Sequence, residues 1–188
     1  MIETISIAVL LFFAMRLLVL PVKVEGTSMV PSLAQQQHLI VNRRAYTHWD
    51  IGGHTVYLFH KPQRGDIIVL TPPPQEPQRG IPFIKRIIGL PGERILVRDG
   101  KVFINDQAIN EPYINDQPRY TWPANGQPMV VPAGNVIVFG DNRNLSEDSS
   151  RFGVLPEALI RGRAVATFYP INEIGFLPHP AYAVGSSQ

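Results

Sequence analysis

The sequence predicts a mainly β protein that follows one N-terminal membrane helix. Three observations carry this. From Ile5 to Val22 the only charged residue is Arg16. Beyond Pro21, apolar residues recur with period two in short runs. Finally, 18 prolines and 15 glycines cut the chain into segments too short for a helical bundle.

As a helix, Ile2 to Leu20 would span roughly 28 Å at about 1.5 Å per residue, close to a hydrocarbon core. The stretch "ISIAVLLFFAM" alone has the size of a signal-peptide apolar region. However, no positive stretch precedes it, and no small-x-small site follows in "LPVKVEG". The run therefore reads as an uncleaved anchor over 1–22, with Arg16 reaching toward one interface. The alternative is a buried or amphipathic core helix. Glu3 and Lys23 flank the run and say little about orientation.

Strands are expected at 38–43, 66–70, 81–89, 94–99, 101–106, 135–140 and 163–169. Asp99-Gly100 fits a tight type I′ hairpin, and Leu90-Pro91-Gly92-Glu93 a type II turn. "TPPPQEPQRG" (71–80) reads as a stiff polyproline-like connector, and 107–134 as an excursion from the core. The expected organisation is an anchor (1–22), a β core (23–93 and 135–170), a small hairpin-rich insertion lobe (94–134) and a tail (171–188). The last stretch, "HPAYAVGSSQ", is expected to be disordered.

Composition excludes some functions. Net charge is +2 and no basic run exceeds Arg43-Arg44, so a nucleic-acid partner is not supported. The absence of cysteine removes disulfides and thiol catalysis.

Ser28 lies in "EGTSMVPSL", directly after the apolar run. Gly26 precedes it, in a turn where free backbone amides can form an oxyanion hole. An ordinary hydroxyl turn explains the stretch equally well. A nucleophilic serine needs a base. None of the five histidines stands in a recognisable triad context, and His48, Asp50 and His54 match no familiar zinc spacing. Lys85 is different. In "IPFIKRII" it shares a face with Phe83 and Ile87, while Arg86 shares the other with Ile84 and Ile88. Burial lowers a lysine's pKa, and a neutral amine can take a proton from a serine. An edge-strand lysine that blocks aggregation is the competing explanation. The polar stretch "GDNRNLSEDSSRFG" (140–153) follows an apolar strand, a common position for functional loops.

These stretches together resemble bacterial type I signal peptidases, membrane-bound serine/lysine proteases. The similarity covers the chain from the anchor to about Pro170. It rests on Ser28-Met29-Val30-Pro31 with Leu33, on Arg64 to Val69, on Lys85 to Glu93, and on Gly140 to Arg143 with Ser146, Asp148 and Ser149. The resemblance implies a nucleophile at Ser28, a general base at Lys85, and a hydrogen bond from Ser146 that holds the lysine. It implies that Asp141 pairs with Arg86, and that Met29, Leu33, Phe83 and Ile84 line small pockets for an A-x-A site. The implied partners are preprotein signal peptides, bound as an extended strand, and the lipid bilayer. No cofactor, metal or obligate protein partner is implied, and the catalytic part would face the extracytoplasmic side of a cell membrane. A turn just past the anchor would meet the scissile bond where it leaves the lipid.

Two departures stand out. Ser150 replaces the arginine usual after the Asp-Ser pair, leaving Arg151 as the expected partner of Asp148. Gly26 stands where some members carry a hydroxyl for the oxyanion hole. Two rivals remain: an anchored relative that only binds preproteins, and another Ser/Lys protease such as the self-cleaving repressors. The latter are soluble and carry a DNA-binding domain.

Overall fold

A computed structural model of the chain describes residues 4–7, 16, 18–52, 54–74, 76, 80–180 and 182. In chain order the strands are β1 (Val19–Lys23), β2 (His38–Asn42), β3 (His48–Ile51), β4 (His54–Tyr57), β5 (Ile67–Leu70), β6 (Phe83–Gly89) and β7 (Arg94–Arg98). They continue with β8 (Lys101–Ile104), β9 (Gln107–Ala108), β10 (Met129–Val130), β11 (Asn135–Phe139), β12 (Leu155–Pro156), β13 (Ile160–Tyr169) and β14 (Gly175–Phe176). An eight-stranded sheet has the order β1-β2-β13-β5-β6-β11-β12, with β14 beside β13. A second sheet has the order β10-β7-β8-β9, and β3 pairs with β4 alone. The fold is mainly β, as expected.

Every residue of β5 and β6 is buried, which explains their unbroken apolar runs. The hairpin between β7 and β8 turns at Asp99 (φ 51°) and Gly100 (φ 73°), with Arg98 opposite Lys101, as a type I′ turn requires. Glu93 N–H donates to the Leu90 carbonyl at 3.1 Å and Gly92 has φ 85°, in keeping with the type II turn. The second sheet does not stand apart. Its Ile95, Val97, Val102 and Ile104 share one core with Ile88, Ile137 and Phe139 of the large sheet. Gly89 permits this contact, since a Cβ there would lie 2.8 Å from Ile95.

Three expectations need correction. The N-terminal helix does not reach Val22. Residues 4–7, Arg16 and Leu18 are helical, but Val19–Lys23 pairs antiparallel with β2, from Val19↔Asn42 to Lys23↔His38. β1 is the edge of the sheet, where Pro21 is tolerated. The rest of the expected anchor lies outside the described residues, and no helix among the described residues is long and apolar enough to cross a membrane. Secondly, His48–Ile51 and His54–Tyr57, absent from the expected strands, pair as the β3–β4 hairpin, in which Trp49 faces Val56. Thirdly, Tyr182, within the stretch expected to be disordered, is held by packing: its ring lies 5.9 Å from the Arg64 guanidinium, and its hydroxyl donates to Tyr113 at 3.1 Å. Just before that stretch, β14 pairs with β13. The tail beyond Tyr182, and part of the expected connector at 71–80, lie outside the described residues.

Candidate active site

The Ser28 turn leaves β1 through Gly26, whose φ of +81° suits a residue without a side chain. Val30 N–H donates to the Thr27 carbonyl at 3.1 Å, and Leu33 N–H to the Met29 carbonyl at 2.9 Å, so the turn is internally braced. The loop after β11 grips it from the other side. Asn142 donates its backbone N–H to the Ser28 carbonyl at 3.0 Å and its side-chain amide to the Thr27 carbonyl at 3.2 Å. Gly140 allows this approach: a Cβ there would sit 2.5 Å from the Ser28 carbonyl and 2.3 Å from Ser146 Oγ. Asn142 lay within the polar stretch quoted above, but only the fold reveals that it holds the serine's turn.

Lys85 comes from the interior strand β6, opposite Ile68 of β5, and is 3% exposed. It is therefore no edge guard. Its Nζ donates to Ser28 Oγ at 2.8 Å and lies 5.2 Å from the Phe83 ring centre. Burial lowers its pKa from the ordinary lysine value to about 8, opposed by the carboxylates of Asp148, Glu147 and Asp141. The neighbouring Arg86 points the other way, as strand alternation requires. Its Nε and Nη2 donate to Asp141 at 2.8 and 2.6 Å, and its Nη1 to the Gly65 carbonyl at 2.9 Å. The amine thus faces a hydroxyl, and the guanidinium's charge is matched elsewhere.

A groove of about 740 Å³ opens over this pair. Its apolar walls come from Leu20 and Val22 of β1, Met29 of the turn, and Ile81, Phe83 and Ile84 around the start of β6. β1 is the outermost strand, and pairing of β6 with β11 begins only at Arg86. Two open backbone edges therefore flank the groove, suited to an extended peptide. Leu33 does not line it. This residue is 1% exposed and packs beneath the turn with Met29, Leu39 and Val41. Leu145, Glu147 and Arg161 do line it, and sequence reasoning missed all three. Leu145 and Glu147 flank Ser146, and that adjacency was the available signal. No sequence signal pointed to Arg161.

The family model for signal peptidase, peptidase S26, matches residues 1–169. This chain belongs to that signal peptidase family. The Leptolyngbya laminosa protein named signal peptidase I is 41% identical over 187 residues, covering 96% of this chain and 85% of its own length. A probable signal peptidase I-1 of Synechocystis sp. is 40% identical over 161 residues, covering 84% of this chain and 74% of its own. A solved signal peptidase I from Enterococcus faecalis V583 is 34% identical, with a TM-score of 0.44, covering 55% of this chain and 96% of that one.

Two contacts expected from the sequence are absent among the described residues. Ser146 Oγ does not bond to Lys85. It is buried and has no hydrogen-bond partner among the described residues, while the Lys85 amine is directed at Ser28. Nor does Arg151 pair with Asp148. Asp148 caps the one-turn helix Ser149–Phe152, accepting from Ser150 N–H at 3.0 Å and from Gly140 N–H at 2.9 Å. Those amides satisfy the buried carboxylate, so an arginine at position 150 is not needed for that purpose. Arg151 instead lies on the exposed side of the helix, 3.5 Å from Glu147.

Proposed function

We propose that this chain removes N-terminal signal peptides from exported preproteins, cutting after a small residue, with Ser28 as nucleophile and Lys85 as general base. The observation that carries the reading is the 2.8 Å hydrogen bond from Lys85 Nζ to Ser28 Oγ, with a lysine whose pKa is lowered to about 8.

The preprotein lies extended along the groove beside β1 and the start of β6. Ser28 Oγ attacks the scissile carbonyl carbon as its proton passes to the neutral amine of Lys85. The Ser28 backbone N–H, which has no partner among the described residues, donates to the developing oxyanion. The protonated amine then gives its proton to the leaving nitrogen of the mature chain, and an acyl-enzyme remains. Water, deprotonated by the same amine, hydrolyses the ester and restores the serine. Met29, Phe83 and Ile84 keep the space before the cut small. Ser146 sits beside this centre with an unused hydroxyl, and Asp141 holds Arg86 away from the amine. No cofactor or obligate partner protein takes part.

In this reading the N-terminal apolar run is a single-pass anchor and the β core lies on the extracytoplasmic side. The support is the run itself, which ends directly at β1 and the groove. The test is to incubate the purified chain with a preprotein and sequence the new N-terminus. A single cut after an A-x-A site, lost in Ser28→Ala, is expected. No cut, or one that survives Ser28→Ala, overturns the reading. A relative that only binds would retain the preprotein intact.

A further inference from the structure

The β3–β4 hairpin carries a continuous exposed apolar face. Register places Trp49 opposite Val56 on one face, which Ile51, two residues beyond Trp49, and Leu58, two residues beyond Val56, continue. Trp49 is 60% exposed and Ile51 61%; Val56 and Leu58 are exposed as well. The opposite face carries His48 and Tyr57, whose rings lie 5.3 Å apart, and the Tyr57 hydroxyl donates to Glu157 at 2.6 Å. Thus Tyr57 ties the opposite face to the protein body, although His48 and Thr55 on it are exposed, while Trp49, Ile51, Val56 and Leu58 form a continuous exposed apolar face. Phe59, 71% exposed, adds an apolar side chain at the hairpin's base, on the Tyr57 side. A contiguous exposed apolar face of this size marks an interaction surface.

The position of the hairpin identifies what covers this face. Arg43 N–H donates to the Leu18 carbonyl at 2.9 Å, at the residue where the N-terminal apolar run meets β1. The hairpin grows directly from there: Leu58 N–H bonds the Thr47 carbonyl, and His60 N–H the Ala45 carbonyl. At the same junction Arg43 and Arg44 are exposed. An apolar face with a tryptophan, next to a basic pair and to the end of an apolar run, matches the layers of a membrane surface. The geometry points to the β3–β4 hairpin as a second membrane contact, in which Trp49, Ile51, Val56 and Leu58 enter the interface and Arg43 and Arg44 meet anionic headgroups. This rests on the reading of the chain as membrane-anchored.

The chain has two tryptophans, and Trp122 is 7% exposed inside the protein. The full chain would be reconstituted in vesicles of phosphatidylcholine with a minority of phosphatidylglycerol, with or without bromine on the acyl chains. Subtracting the emission of Trp49→Phe isolates Trp49. Strong quenching of Trp49 by brominated lipid, with protection from aqueous iodide, is the expected result. Quenching by iodide and not by bromine overturns the proposal, because the face is then in water. Protection from both also overturns it, because a protein then covers the face. Flotation of the same vesicles tests anchoring separately, and preprotein cleavage tests the enzyme assignment, so the three failures are distinguishable.

Discussion

Arg143 and Glu111 form a buried two-pronged ion pair, with Nη1–Oε2 at 2.7 Å and Nη2–Oε1 at 2.6 Å. It joins the loop after β11, which carries Asp141 and Ser146, to the segment between β9 and β10. Tyr113 donates to the same carboxylate at 2.6 Å and lies 4.2 Å from the Arg86 guanidinium.

Removing one member of such a pair leaves the other buried without a counter-charge. Glu111→Ala should therefore destabilise the fold by about 3–5 kcal/mol, read by urea unfolding in detergent. A double variant, Glu111→Leu with Arg143→Met, should recover most of that loss. A cost below about 1 kcal/mol for Glu111→Ala would contradict the assignment.

Ser28→Ala should abolish preprotein cleavage while leaving the melting temperature nearly unchanged, because only one small hydroxyl in a braced turn is lost. Cleavage assay and thermal melt of the same preparation check this together. Appreciable residual cleavage would remove Ser28 from the mechanism.

The pH dependence follows from Lys85. Its pKa is lowered to about 8, so below that value the amine is protonated and cannot act as a base. kcat/KM should rise with pH along a limb centred near about 8 rather than at lysine's ordinary value of about 10.4. The Glu147 carboxylate raises this pKa, so Glu147→Gln should shift the limb toward lower pH. Lys85→Arg should be inactive, since a guanidinium stays charged at any working pH. Near-normal cleavage by that variant would place the base elsewhere.

The same lowered pKa makes Lys85 a liability to stability. Between about 8 and the ordinary lysine value the unfolded chain binds more protons than the folded one, so this residue's contribution improves as pH rises through that window. A shift of this size disfavours the buried ammonium by about 3 kcal/mol. Lys85→Met, inactive, should melt higher than wild type at neutral pH, with the lost bond to Ser28 offsetting part of the gain. A lower melting temperature would mean that the amine stabilises the fold.

Met29, Phe83 and Ile84 leave little room beside the serine. Replacing a substrate's Ala before the cut by Leu should cost roughly 1–3 kcal/mol in transition-state binding, a loss of about 5- to 150-fold in kcat/KM. Equal rates for the two substrates would show that these walls do not set specificity.

Much of this site was legible in the chain. Strand alternation put Lys85 and Arg86 on opposite faces before any contact was known, because side chains in a strand alternate whatever the partner strands. Asp99-Gly100 announced its hairpin through the left-handed backbone it requires. Less legible were β1 and the β3–β4 hairpin. Val19–Lys23 continues an apolar run, and a short apolar segment reads alike as helix or strand. Leu33 looked like a pocket residue beside Ser28, yet one turn of chain was enough to point it into the core.

By itself the sequence determined the residue types, their order and their alternation: a serine in a glycine-led turn, a lysine in an apolar strand, a polar loop after another strand. These are local properties, set by backbone geometry and side-chain chemistry. Tertiary structure decided what those residues meet. It brought Ser28 and Lys85 within 2.8 Å across 57 positions of chain, gave Asp148 two backbone amides in place of an arginine, and turned the apolar face of one hairpin outward. Such partners depend on which strands pair and how closely loops approach, and packing of the whole chain sets both.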